Sequence, residues 1–159
     1  MLIVEDNEDD VFLLQRALRL AEVKNPVHIV NDGEEAINYI SGVGPFSDRT
    51  RHPMPFLVLL DLKLPFKGGL EILEWIKQQS FREDLEVVVL TSSAEDRDVV
   101  KAYELGAGAY FTKPLSAANL GQLMTRLQEV SATQKRLRPS QLSDDLFHQR
   151  GMFGLQGGL

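Results

Sequence analysis

Short runs made up mostly of apolar residues recur along the chain at positions 2–4, 27–30, 56–60, 86–90 and 109–111. Each is too short and too continuous to be one face of an amphipathic helix, and each reads as a buried strand. Between these runs the apolar period changes. Val11, Leu14 and Leu18 fall at three- and four-residue steps, as do Leu120, Leu123 and Leu127, while Leu70, Leu73 and Ile76 fall at three-residue steps. The clusters Ala36-Ile37-Ile40 and Val99-Val100-Tyr103 show the same helical spacing, which gathers side chains on one stripe of a helix. Strand and helix therefore alternate along the chain.

Strands alternating with crossover helices pair in parallel, and right-handed crossovers covering both faces of one sheet give a doubly wound α/β sandwich. Ligands of such sheets sit beyond the carboxyl ends of the strands, so the residues just past each run carry the functional reading. The first run is followed by Glu5 and Asp6, the third by Asp61, the fourth by Thr91 and Ser92, and the fifth by Lys113 and Pro114. The second leads into Asn31-Asp32-Gly33, which reads as a turn.

Two stretches break the alternation. Residues 41–55 are rich in Gly, Pro and Arg without any period, and read as a surface loop longer than α/β connections usually are. After Val130 the periodicity weakens and the chain ends in Phe153-Gly154-Leu155-Gln156-Gly157-Gly158-Leu159. The expected division is a domain of residues 1–130 and a C-terminal tail of residues 131–159. Leu142, Leu146, Phe147, Met152, Phe153 and Leu155 give that tail enough apolar surface to dock but not to fold alone, and disorder is its plainer reading.

Composition narrows the class. With 43% hydrophobic and 25% charged residues the chain matches an ordinary globular protein, and no apolar run approaches the ~20 residues of a membrane span. The apolar start Met1-Leu2-Ile3-Val4 ends in acid rather than continuing as a secretory signal. The absence of cysteine excludes disulfides, thiolate chemistry and cysteine-bound zinc, and fits a reducing compartment; the expected location is cytoplasmic. A net charge of -6 opposes unaided binding to nucleic acid, whose affinity rests largely on phosphate neutralisation. Lys135, Arg136 and Arg138 form only a small basic cluster, and the tail is too short for a helix-turn-helix unit. Neither nucleic acid nor membrane is an expected partner.

The acids gain meaning at the sheet edge. Glu5, Asp6 and Asp61 converging there cannot all stay ionised cheaply without a cation. Hard oxygen donors suit Mg²⁺, with Mn²⁺ or Ca²⁺ able to take its place, and Mg²⁺ usually keeps waters and a substrate phosphate besides two or three protein oxygens. An aspartate can itself accept a phosphoryl group as an acyl phosphate where cationic groups neutralise the transferring oxygens; Lys113 and the Thr91 hydroxyl are placed to help.

Blander readings stand beside this one. Glu8, Asp9 and Asp10 are explained as acids at a helix start, favoured by the dipole and the unpaired N–H groups. Glu5-Asp6 alone has the same explanation, and Asp61 alone is an ordinary turn residue. Ser92 with Glu95 fits a capping box, which leaves Thr91 unexplained. Trp75 reads as a packing residue. His28, His52 and His148 show no metal-ligand spacing. Gly42-Val43-Gly44-Pro45-Phe46-Ser47 starts like a phosphate-binding loop, but it follows a helix and lacks the terminal glycine and lysine.

The pieces Leu2-Ile3-Val4-Glu5-Asp6-Asn7, Leu59-Leu60-Asp61-Leu62-Lys63-Leu64-Pro65, Leu90-Thr91-Ser92 and Tyr110-Phe111-Thr112-Lys113-Pro114 resemble the response-regulator receiver family of two-component signalling. The resemblance implies a five-stranded parallel sheet of order 2-1-3-4-5, flavodoxin-like, with helices on both faces. It also implies Asp61 as phosphoacceptor, Asp6 as a direct metal ligand, Glu5 as a ligand through water, and the Lys63 backbone carbonyl as a further ligand. Thr91 and Lys113 would contact the phosphoryl oxygens, Thr91 and Tyr110 would act as coupled switches, and Lys113-Pro114 would be a cis bond. Implied partners are a sensor histidine kinase or a histidine phosphotransfer protein.

Val4-Glu5-Asp6-Asn7, Asn31-Asp32-Gly33-Glu34-Glu35-Ala36 and the long loop before the third strand most resemble the stand-alone regulators of bacterial phytochrome kinases. That likeness implies a bacteriophytochrome as the kinase and a homodimer to which the tail contributes. Gly68-Gly69, where many members have Asp-Gly, and Lys63, often neutral elsewhere, depart from the family pattern without removing a catalytic group. Such proteins are phosphoacceptors rather than enzymes in the usual sense. Two competitors remain: a pseudo-receiver that binds partners without phosphorylation, which normally lacks one of the key groups, and an aspartyl phosphatase, which needs a carboxylate where this chain has Lys63.

Overall fold

A computed structural model describes residues 1–92 and 96–137. Glu95 and the tail positions from 138 onward lie outside the described residues. The regular elements are β1 Leu2–Val4, α1 Glu8–Leu20, β2 His28–Val30, α2 Gly33–Ser41, β3 Leu57–Asp61, α3 Gly69–Lys77, β4 Glu86–Thr91, α4 Asp96–Glu104, β5 Ala109–Thr112 and α5 Ala117–Leu137. All strand pairs are parallel, in the order β2-β1-β3-β4-β5. The doubly wound α/β sheet expected from the sequence is therefore the observed fold. The chain divides into two compact units, Met1–Gly121 and Gln122–Leu159; among the described residues the second is the C-terminal part of α5. That helix runs unbroken through Leu137, past the expected start of the tail at residue 131.

The sheet is buried on both faces, as its continuous apolar strands require. Leu2, Val4, Val58, Leu60, Val87 and Val89 pack in one cluster with Ala36, Tyr39 and Ile40 of α2, Ile72, Leu73 and Ile76 of α3, and Ala102 of α4. The alternate strand positions Ile3, Leu57, Leu59, Val88 and Leu90 are equally buried and face the other layer, as strand alternation dictates. Trp75 is half-buried against the first cluster, its ring 6.1 Å from that of Phe81, so it is a packing residue. Among the described residues no helix is long and apolar enough to cross a membrane.

The helix starts explain two polar clusters. Asn7 caps α1, its side chain accepting the Asp10 N–H at 3.0 Å. Asp32 caps α2 in the same way through the Glu35 N–H, 2.8 Å away. Asn31-Asp32-Gly33 is thus not a free turn but a direct passage from strand to helix, because an N-cap aspartate satisfies the donors that open the next helix.

Residues 43–55 are more ordered than their composition suggests. A 3₁₀ turn covers Gly44–Phe46. Beyond it the Arg49 guanidinium reaches back to the carbonyls of Tyr39 (2.7 Å), Ile40 (2.5 Å) and His52 (3.0 Å). Helix α2 has no basic residue in its last turn, and Arg49 supplies from outside the cation that orphaned C-terminal carbonyls favour. The rings of His28, Tyr39, Phe46 and His52 pack in tilted and edge-to-face pairs with centroids 5.2–5.8 Å apart.

Candidate functional site

Parallel register brings the functional residues to one edge. Asp61 is the last residue of β3 and pairs with Leu90; Thr91 ends β4 and pairs with Thr112 of β5. Glu5 follows β1, its N–H bonded to the Val30 carbonyl of β2. The strands therefore hold Asp61 and Thr91 inside the hydrogen-bonded ladder, one residue further than the apolar runs imply.

The phosphoacceptor candidate rests on a backbone floor. A Cβ on Gly69 would lie 2.4 Å from the Asp61 carbonyl oxygen and 2.7 Å from the Leu62 Cα, so only glycine lets α3 start this close beneath β3. Gly68 faces open space by comparison, its nearest atom at 3.6 Å; the Glu71 carboxylate accepts its N–H at 2.8 Å.

Glu5 and Asp61 are buried, at 4% and 6% exposure, whereas Asp6 is exposed. One ligand oxygen from each lies within 4.8 Å of the others. Three hard oxygen donors so disposed fit a divalent cation. The charge is offset in part within the protein itself by Lys113, whose ammonium donates to Glu5 Oε2, to Asp61 Oδ2 (3.0 Å) and to Asp10 Oδ2 (3.0 Å). The other Asp61 oxygen accepts the Lys63 N–H at 3.1 Å, and Glu5 Oε1 accepts the Asn7 N–H at 3.0 Å.

Burial pushes the Glu5 carboxyl above its ordinary value, against the opposing pull of its hydrogen bonds from Lys113 and Asn7. Burial would lower the Lys113 ammonium, but hydrogen bonds to Glu5, Asp61 and Asp10 outweigh it and hold the group above its ordinary value. Lys113 is thus a fixed cation. Its backbone is fixed too, the N–H bonded to the Thr91 carbonyl at 2.9 Å and the following bond to Pro114 cis.

The family model of the response regulator receiver domain matches residues 1–125. The chain belongs to the response regulator receiver family. This receiver is 36% identical over 132 residues to the response regulator Rcp1 of Synechocystis sp., covering 83% of this chain and 86% of Rcp1; a structure of Rcp1 is of its Mn²⁺-bound form. Among solved structures, the bacteriophytochrome response regulator RtBRR is 40% identical with a TM-score of 0.70, covering 79% of this receiver and 75% of RtBRR. The phosphorylated cyanobacterial phytochrome response regulator RcpA is 36% identical with a TM-score of 0.67, covering 80% of this receiver and 89% of RcpA.

Of the residues singled out in the sequence, Glu5, Asp61 and Lys113 meet directly in this receiver, and an Asp6 oxygen lies within 4.8 Å of those of Glu5 and Asp61. Thr91, buried to 1% exposure, ends β4, which lies between β3, closed by Asp61, and β5, which Lys113 follows. Lys63 is exposed, its backbone at the mouth beside Asp61. Tyr110 is half-buried against the core cluster, within β5 rather than at the acidic edge. Asp10 was assigned only to the start of α1; that reading is incomplete, because its carboxylate grips Lys113. Nothing in the local sequence distinguishes it from Glu8 or Asp9, since the partner follows β5, 103 positions further along the chain.

Proposed function

We propose that Asp61 accepts a phosphoryl group from a phosphohistidine on a sensor histidine kinase or a histidine phosphotransfer protein. An Asp61 carboxylate oxygen attacks phosphorus, the O–P bond forms as the donor's N–P bond breaks, and the electron pair leaves on the imidazole nitrogen. Asp6, Asp61 and the Lys63 carbonyl, with Glu5 through water, would hold Mg²⁺, which when bound would offset negative charge on the phosphoryl oxygens. Lys113 and the Thr91 hydroxyl bind those oxygens. Later attack of water on phosphorus returns the Asp61 carboxylate and inorganic phosphate. The observation that carries this reading is one ammonium, on Lys113, bonded to both Asp61 and Glu5 within a trio of oxygen donors fit for a cation.

Signalling follows from a change of surface rather than from turnover. Thr91 and Tyr110 lie on adjacent strands, so rearrangement at the phosphoryl group passes from β4 to β5 and shifts a two-state equilibrium. Likeness to Rcp1, RtBRR and RcpA supports a phytochrome-type kinase as phosphodonor and the cytoplasm as the setting. A symmetric homodimer using residues 131–159 is part of the same reading; light scattering on the full chain and on a chain lacking residues 140–159 checks it, and an unchanged monomeric mass in both refutes it.

The deciding experiment incubates the protein with acetyl phosphate, with and without Mg²⁺, and compares intact mass for the wild type and Asp61→Asn. A metal-dependent phosphate adduct in the wild type alone supports the reading. No adduct under any metal condition transfers the chain to the non-phosphorylated binding modules.

A further inference from the structure

An ammonium group has three N–H donors, and on Lys113 all three are taken: by Glu5, by Asp61 and by Asp10. The three acceptors are not equivalent. Glu5 and Asp61 belong to the trio of oxygen donors that fits a cation, and Asp10 does not. Asp10 also differs in origin, for it sits in the first turn of α1, where its own N–H is locked 3.0 Å from the Asn7 side chain. Its side chain is 35% exposed, against 5% for Glu5 and 7% for Asp61.

We propose that Asp10 is a positioning residue, which holds the Lys113 ammonium at the mouth of the site when Glu5 and Asp61 are engaged elsewhere. This inference rests on the proposed phosphoacceptor role of Asp61. A cation and a phosphoryl group both draw on the carboxylates of Glu5 and Asp61, which weakens two of the three bonds that fix Lys113. Asp10 is the acceptor left with no other duty. Its carboxylate is placed by a helix cap, so its grip survives charge changes at the neighbouring residues. Lys113 is then anchored at both ends, by the Thr91 carbonyl at its backbone and by Asp10 at its tip. A long, flexible side chain becomes a preorganised cation, and misplacing such a group costs transfer rate rather than metal affinity.

The test compares Asp10→Asn, Asp10→Glu and Asp9→Asn in the full chain. Asp9 is exposed on the same helical turn, so its variant removes the same charge one residue away from Asp10. Two readouts are taken: the nitrogen-15 NMR signal of the Lys113 ammonium, and the maximal rate of phosphorylation by acetyl phosphate with the half-saturating Mg²⁺ concentration. Asp10→Asn is expected to broaden the ammonium signal and to lower the maximal rate on the order of tenfold, with half-saturating Mg²⁺ little changed. Asp10→Glu restores part of both effects, and Asp9→Asn leaves both at wild-type values. The proposal is overturned if Asp10→Asn matches Asp9→Asn in either readout, or if it accelerates phosphorylation by freeing Lys113. A wild type that takes no phosphate defeats the phosphoacceptor reading, and the ammonium spectrum still decides whether Asp10 holds Lys113.

Discussion

The Lys113 ammonium lies 3.0 Å from Asp61 Oδ2, while the Lys113 backbone N–H is bonded to the carbonyl of Thr91. One residue thus ties the end of β3 to the end of β4 through its two extremities, and its charge is what allows buried carboxylates to remain at the edge of an apolar sheet.

Replacing Lys113 by Met therefore leaves Glu5 and Asp61 buried without their cation. Breaking such a pair by removing one partner costs about 3–5 kcal/mol, and the partial exposure of Asp10 places this case at the lower end. Urea unfolding of the metal-free variant at pH 7 is the measurement. Divalent cation should recover much of the loss, since it supplies the missing positive charge; a variant as stable as wild type without metal would contradict the charge-balance argument.

Glu5 gives the pH dependence its sign. Its folded pKa is raised above 4.5 by burial, so the folded state binds the proton more tightly than the unfolded chain does. The contribution of Glu5 to stability is then fully present below 4.5 and is lost as pH rises through the raised value. A cation binds the ionised carboxyl, so the rise in melting temperature caused by Mg²⁺ should grow across the same window. Thermal melts with and without Mg²⁺ from pH 4 to pH 8 test this, and Glu5→Gln should flatten the metal-free trend.

The two adjacent glycines should respond in opposite ways. Gly69→Ala forces a carbon into the Asp61 carbonyl and is expected to cost about 1–3 kcal/mol, as overpacking does. Gly68→Ser meets no obstacle at its extended backbone angles and adds an N-cap side chain to α3, so it should be neutral or stabilising by up to about 1 kcal/mol. Chemical denaturation of the pair is decisive, because equal losses at both sites would mean the close approach is not what matters.

Phe66 holds a left-handed backbone, φ 63°, with its ring 94% exposed. A bulky residue there stores strain that its ring does not offset by burial. Phe66→Asn, which tolerates this conformation, should stabilise the protein by about 1 kcal/mol; a destabilised variant would show that the exposed ring makes contacts that matter.

The strands were legible because each is buried on both faces, so its apolar residues are continuous and few other readings fit. Asp61 and Thr91 were legible as strand ends because each is the first polar residue to close an apolar run, and the ladder extends through both. Glu5, Asp6, Asp61 and Lys113 were legible as candidates because fold class alone predicts which ends converge. Asp10 was not, because three successive acids at a helix start have a sufficient local explanation, and the choice among them is made by a lysine on another element. The order in residues 43–55 was hidden for the same reason: it depends on where Arg49 reaches, not on its neighbours.

Arg49 divides the long passage from α2 to β3 into two shorter spans joined at one guanidinium. For closure entropy, two tied spans behave as separate small loops rather than as one large one. The span on the Val43 side, closed by the knot, is then free to lengthen or shorten without loosening the entry to β3. Residues around Val43 are in this sense an insertion point, and a reporter peptide grafted there leaves the acidic edge undisturbed as long as the knot is kept, whereas Met54 lies on the short link from the knot to β3.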